Sequence, residues 1–270
     1  MKLRNEIYLG SNQRKSLFDL EIPKNWNQEM IIFVHGFMGF KDWGAWDLVQ
    51  HFFVSKGYGF AKFNLSHNGG TESNGIDFPD IVAFAENTYS KEIADIQLFR
   101  KHILTLVKPV TISIIGHSRG GACALLHAKN HPVHRLILWA PICDIGSRFP
   151  QGIELEYWKK TGVRYILNSR TQQELPQNYS LYEDFIMNEQ LLNIEAAARE
   201  STSPILVIHG SSDKSVPMEE GKQIAQWSGS EIEIIEGADH VFGAMHPWEK
   251  PEMPIQLSLV CDKSLTFLTR

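Results

Sequence analysis

Three residues stand where nucleophilic chemistry would need them. Ser118 lies in Gly116-His117-Ser118-Arg119-Gly120, directly after the apolar run Val110–Ile115 and before Ala122-Cys123-Ala124-Leu125-Leu126, a good helix start. A G-x-S-x-G pattern between a strand and a helix holds its serine in a sharp turn, and glycines at either side let strand and helix approach closely. A serine hydroxyl is a weak nucleophile near neutral pH and needs a base that is itself oriented by an acid. The run Pro204–His209 leads into Gly210-Ser211-Ser212-Asp213, and Ile232–Ile235 leads into Glu236-Gly237-Ala238-Asp239-His240. In chain order the set is Ser118, Asp213 and His240, each just beyond a strand candidate. Open parallel sheets gather their ligands at the carboxyl ends of strands.

Acyl transfer also needs two hydrogen-bond donors aimed at the oxyanion of a tetrahedral intermediate. The run Met30–Val34 ends in His35-Gly36-Phe37-Met38-Gly39. The backbone N–H groups of Phe37 and Arg119 are the natural pair. His35 is expected to fix its turn by hydrogen bonding. Other histidines near predicted turns (His67, His117, His209, His246) compete with His240, but only His240 follows the last strand of the series. Asp144, beyond the run Arg135–Ala140, is the rival acid. Asp239 is read as shaping the histidine loop, and Cys123 as small core packing.

The elements that must position these residues follow from the apolar rhythm. Short β-branched runs closed by glycine or proline alternate with amphipathic stretches, which reads as strand, loop, helix, repeated. Strand candidates are Ile7–Leu9, Ser16–Ile22, Met30–Val34, Gly59–Asn64, Val110–Ile115, Arg135–Ala140, Pro204–His209 and Glu231–Ile235. The continuous apolarity of Ile31–Val34 and Ile112–Ile115 suits a parallel sheet covered on both faces. Crossover helices are predicted over Ala45–Ser55, Tyr89–Val107, Ser118–Asn130 and Met218–Trp227, with a last helix over Pro254–Leu268. Ser66–Pro79 is a turn-rich loop.

Composition narrows the class. The 270 residues are 43% hydrophobic and 21% charged, which describes one globular domain with room for an insertion. A net charge of −5 gives no basic field for nucleic acid. Three widely spaced cysteines, Cys123, Cys143 and Cys261, give neither a disulfide framework nor a zinc pattern. Met1–Gly10 lacks a secretory signal pattern, and no run approaches the ~20 apolar residues that span a bilayer. The expectation is a cytoplasmic protein, monomer or homodimer, with no membrane partner.

Taken together, the His35-Gly36 turn, the Gly116–Gly120 elbow, the strand-turn-aspartate at Asp213 and the histidine loop at His240 resemble the α/β-hydrolase family, over nearly the whole chain. The resemblance implies a doubly wound α/β fold: an eight-stranded, mostly parallel sheet with its first strands antiparallel, and no cofactor. Relatives with an aspartate nucleophile are excluded, since Ser118 holds that position. The loop Asn64–Gly70 only partly matches the D-x-R-G-x-G pattern of many relatives.

One segment breaks the rhythm. Residues 143–203 separate two strand candidates by about 60 residues where a crossover needs about a dozen or more. Helix-like stretches at Ile153–Lys160, Ser180–Asn188 and Glu189–Arg199 read as a helical cap inserted into a core of residues 1–142 and 204–270. Acyl specificity is assigned to this cap and the Phe37–Phe40 loop, with His35, Met38, Tyr157, Trp158 and Tyr182 as candidate substrate contacts. The expected reaction is hydrolysis of a small-molecule carboxylic ester with an apolar or aromatic acyl group. Two alternatives are a capped aminopeptidase whose cap glutamate holds an amine, and a hydrolase-shaped protein that binds a ligand without turnover.

Overall fold

The computed structural model describes residues 1–270, the whole chain. The elements in chain order are β1 (Lys2–Leu9), β2 (Lys15–Glu21), β3 (Glu29–Val34), α1 (Trp46–Ser55), β4 (Gly59–Phe63), α2 (Ile81–Ala85), α3 (Tyr89–Leu106), β5 (Thr111–His117), α4 (Arg119–Asn130), β6 (Leu136–Trp139), α5 (Gly152–Thr161), β7 (Val163–Asn168), β8 (Gln173–Asn178), α6 (Ser180–Met187), α7 (Ile194–Glu200), β9 (Ile205–Gly210), α8 (Met218–Ser228), β10 (Glu231–Ile235) and α9 (Ile255–Leu268). Eight strands form one sheet in the order β1-β2-β4-β3-β5-β6-β9-β10. β2 runs antiparallel to β1 and β4, and all other pairings are parallel.

The strand residues sort by their alternation. Met30, Ile32 and Val34 of β3, Ile112 and Ile114 of β5, and Ile205 and Val207 of β9 enter one core with α3, α4, α7 and α8. Ile31, Phe33, Ile115, Leu206 and Ile208 point the other way, into a second core with α1 and α9. Both faces are therefore covered, which is why the central strands carry no polar face. Trp139 is fully buried, and its indole N–H donates to Ser264 Oγ at 3.0 Å, so this side chain of the second core leaves no donor unpaired. Helix starts follow local chemistry: the side chains of Asp80, Thr88 and Asn193 accept from the amides of Ala83, Lys91 and Ala196 at the N-termini of α2, α3 and α7.

The segment 143–203 departs from the all-helical expectation in two ways. It contains an antiparallel hairpin, β7 paired with β8, between α5 and α6. Its last helix, α7, packs on α4 and α8 against the face of the main sheet, as a crossover helix does. Only Leu175 among the six β8 residues is a large apolar group, so period-2 alternation is hidden there by Gln173, Glu174, Gln177 and Asn178. No helix is long and apolar enough to cross a membrane.

Candidate active site

β5 runs at the centre of the sheet and ends on the elbow. Ser118 has φ 57° and ψ −125°, a left-handed φ that a non-glycine residue adopts at a cost on the order of 1–3 kcal/mol. Its neighbours have no space for side chains. A Cβ on Gly116 would lie 2.6 Å from Gly120 O, and a Cβ on Gly120 would lie 2.2 Å from His35 O and 2.7 Å from Val34 O. Ser118 N–H donates to Trp139 O at 2.8 Å, while Ser118 O accepts from Gly121 and Ala122, so the turn is held from both sides.

Two further loops bring a base and an acid to the serine. His240 Nε2 lies 2.9 Å from Ser118 Oγ, and His240 Nδ1 lies 2.7 Å from Asp213 Oδ2. The other carboxylate oxygen, Oδ1, accepts from the amides of Ser215 at 2.8 Å and Val216 at 2.9 Å. Burial works against the charge on Asp213, but hydrogen bonds from His209 and His240, the His240 charge and the Val216 amide outweigh it. The carboxyl is held well below the ordinary carboxylate range. Asp239 caps the histidine loop by accepting from Val241 and Gly243. Asp144 is exposed and accepts from Gly146, away from His240.

Two more histidines support this set, and sequence reasoning assigned neither a role. His209 Nε2 donates to Val216 O at 2.9 Å and lies 3.3 Å from Asp213 Oδ2, beneath the carboxylate. His117 Nε2 donates to the backbone oxygen of His240 at 2.9 Å, with the two rings 4.9 Å apart. Burial, reinforced by the neighbouring His240, pushes His117 down to about 3, so it is a neutral donor that fixes the histidine loop. The only sequence signal for either was position: His117 precedes Ser118, and His209 lies at the end of the strand that leads to Asp213.

Opposite the elbow, Gly36 packs against the serine, where an added Cβ would meet Ser118 Cβ at 3.0 Å. The amides of Phe37 and Arg119 donate to no acceptor in the protein. His35 fixes the turn: Leu65 N–H donates to its Nε2 at 3.1 Å, so its Nδ1–H donates to Gly36 O at 2.9 Å. Burial keeps it neutral, down to about 4.

Ser118 and His240 open into a cavity of about 540 Å³, whose walls include Phe37, Tyr89, Phe149, Leu181 and Val216. Arg119 lies on the wall too. Its Nε pairs with Glu92 at 3.0 Å, and its guanidinium sits 3.9 Å from the Tyr89 ring centroid and 5.1 Å from that of Phe37. Cys123 is buried and donates its thiol to the same Glu92.

None of the five expected substrate contacts lines the cavity. His35 and Met38 do not line the cavity. Tyr157 points to solvent. Trp158 is buried and donates to Gln177 O, and Tyr182 packs edge-on against Phe149 behind the wall. Helical periodicity shows that α5 has two sides but not which one meets the cavity; the hairpin inserted beside it takes that place, with Arg164, Tyr165, Ile166 and Gln177 on the wall.

Three carboxylates cluster elsewhere, Asp19, Asp42 and Asp47. Lys41 lies 2.8 Å from Asp19 and 2.6 Å from Asp42; Lys62 lies 2.8 Å from both Asp19 and Asp47; Arg4 joins Asp19 and Asp47. Cations of the chain itself neutralise this cluster, so it is an ion-pair network rather than a metal centre.

Comparison with known proteins agrees with this architecture. Similar solved structures include Est1E from Butyrivibrio proteoclasticus with ferulic acid bound (21% identity, 98% of each chain covered, TM-score 0.73). A putative hydrolase from Agrobacterium vitis S4 aligns at 16% identity over 98% of each chain, TM-score 0.75. A monoacylglycerol lipase from Paleococcus ferrophilus aligns at 14% identity over 94% of this chain and 98% of its own, TM-score 0.68. Among curated proteins, none matches the sequence. The model of the alpha/beta hydrolase family matches residues 31–252, from the strand before the His35 turn past the histidine loop, and the chain belongs to that family.

Proposed function

We propose that this protein hydrolyses carboxylic esters through an acyl-enzyme on Ser118. The observation that carries the reading is the continuous chain Ser118 Oγ to His240 Nε2 at 2.9 Å and His240 Nδ1 to Asp213 Oδ2 at 2.7 Å, opening on a cavity. His240 takes the serine proton as Oγ attacks the acyl carbon, Asp213 stabilises the imidazolium, and the free amides of Phe37 and Arg119 receive the oxyanion. His240 then gives the proton to the departing alcohol, and water repeats the sequence on the acyl-enzyme. The walls formed by Phe37, Tyr89, Phe149 and Leu181 favour apolar or aromatic groups. A relative of the same fold solved with ferulic acid is consistent with that preference.

The aminopeptidase reading is disfavoured. Holding an α-ammonium needs a carboxylate on the wall, and no aspartate or glutamate lines the cavity. The test is Ser118→Ala. It should fold as the parent does while losing turnover of p-nitrophenyl butyrate and covalent labelling by a fluorophosphonate. Undiminished turnover in that variant would overturn the mechanism, and saturable ligand binding without labelling of the parent would favour a non-catalytic binder.

A further inference from the structure

The charged groups of the cavity are unevenly balanced. Its wall carries three guanidinium groups, Arg119, Arg148 and Arg164, and no carboxylate. Arg119 is neutralised by Glu92 and Arg148 by Glu220, both from behind the wall. Arg164, on the hairpin strand β7, forms no ion pair, although the Glu154 carboxylate of α5 is near enough to act on it through space. It is nevertheless held rigidly. Its guanidinium lies 4.2 Å from the Trp158 ring centroid, and Nε and Nη2 both donate to Gln177 Oε1, at 2.9 and 2.7 Å. Gln177 is fixed in turn, buried and with its backbone oxygen accepting from Trp158 Nε1. Nη1 has no partner in the protein and is not sealed from solvent.

Arginine presents a planar fork that suits a carboxylate, and stacking on an indole removes the side-chain freedom that a binding event would otherwise have to remove. A cation on the wall of a largely apolar cleft also acts at a lower effective dielectric than one at the open surface. The neighbouring wall residues Tyr165 and Gln177 add neutral polar groups, and no carboxylate lines the wall itself.

We infer that Arg164 is the carboxylate-binding residue of this cavity, so that the preferred substrates are esters carrying a carboxylate group away from the ester bond being cleaved. The inference rests on the ester-hydrolase reading for its substrate but not for its binding site. A carboxylate on the acyl side and one on the alcohol side share this chemistry, and the experiment separates them.

The test compares matched pairs differing only in charge: mono-p-nitrophenyl adipate against its methyl ester for the acyl side, and 4-acetoxybenzoate against its methyl ester for the alcohol side. The ratio of kcat/KM, anionic over neutral, should favour the anion by about 10- to 100-fold in one pair, the range for a hydrogen bond to a charged group. Arg164→Met should bring that ratio to about one, and Arg164→Lys should restore part of it. If Arg164 only fastens the hairpin to α5, both members of a pair will fall together and the ratio will not move, which overturns the proposal. A ratio of one or below in both pairs, with the neutral ester still cleaved, overturns it and leaves the hydrolase reading standing. If no ester is cleaved, that reading fails and the site is judged by thermal shift. Stabilisation by monomethyl adipate, absent with dimethyl adipate and lost in Arg164→Met, supports it, and equal response to the two refutes it.

Discussion

Replacing Asp213 by asparagine isolates the part of the site that depends on charge and tautomer rather than shape. The carboxylate faces four donors: the amides of Ser215 and Val216 on Oδ1, and the ring nitrogens of His240 and His209, at 2.7 and 3.3 Å, on Oδ2. Asparagine is nearly isosteric and keeps one oxygen for the two amides, so the turn after β9 should persist. Its NH₂ group, however, meets ring N–H donors where an acceptor stood. His240 can relieve that clash by moving its proton to Nε2, which faces Ser118 Oγ at 2.9 Å. A histidine protonated there cannot accept the serine proton. Loss of the orienting carboxylate in a triad of this kind costs about 10⁴ in kcat, equivalent to roughly 5 kcal/mol of barrier. The assay is p-nitrophenyl butyrate hydrolysis by parent, Asp213→Asn and Asp144→Asn, with circular dichroism to verify folding. Asp144→Asn should match the parent, because Asp144 is exposed and serves only to cap Gly146. A folded Asp213→Asn variant within tenfold of the parent, or an equal loss in Asp144→Asn, would refute the assignment.

Two other outcomes follow from the same geometry. Gly120→Ala puts a methyl group 2.2 Å from His35 O, a backbone atom that cannot rotate away; a loss of about 3 kcal/mol in stability is expected, with reduced turnover as the elbow and the Phe37 loop separate. An unchanged Tm and kcat would show that the two turns are not in the contact described. Acid should destabilise the fold early: burial holds His35 and His67 down to about 4, and His117 and His127 down to about 3, against about 6.5 in an unfolded chain. Below about pH 6.5 the unfolded state therefore binds more protons than the native one, so stability is full above that pH and falls as pH drops, by up to about 1.4 kcal/mol per pH unit for each histidine. Urea unfolding at pH 7, 6 and 5 measures this, and a flat profile over that range would contradict the neutral, buried state of these rings.

Much of the site is legible in the sequence because its parts are local. The elbow is five residues whose glycines are dictated by backbone approach, and Asp213 and His240 each follow a strand whose apolar run is plain. Strand bounds were readable where both faces are buried, as in β3 and β5. The walls of the cavity were not readable. Glu92 and Arg119 are 27 positions apart, on α3 and at the start of α4, and nothing in either neighbourhood announces the pair. The hairpin hid for a related reason. β8 contains Pro176 and polar residues at most positions, and its stability comes from pairing with β7 and from Leu175 packing beside Phe40, Phe78 and Phe84, contacts distant in sequence. Aromatic residues in the segment were visible, but whether Tyr157 faces solvent or cavity depends on what packs against α5.

The strands that bracket this segment, β6 and β9, are hydrogen-bonded neighbours in parallel register, Leu136 beside Ile205 and Trp139 beside Ile208. The excursion thus leaves one strand and returns to the next, with no strand passing between its two ends. Entropy of closing a loop rises only slowly with its length. Such a joint lets the chain between β6 and α7 lengthen, shorten or be exchanged while Ser118, Asp213 and His240 keep their places. Selectivity can drift through insertions and deletions ahead of α7 without a compensating change in the sheet, and grafting a foreign segment between Ile142 and Asn193, which spares α7 on its seat against α4 and α8, is the economical way to retarget this scaffold.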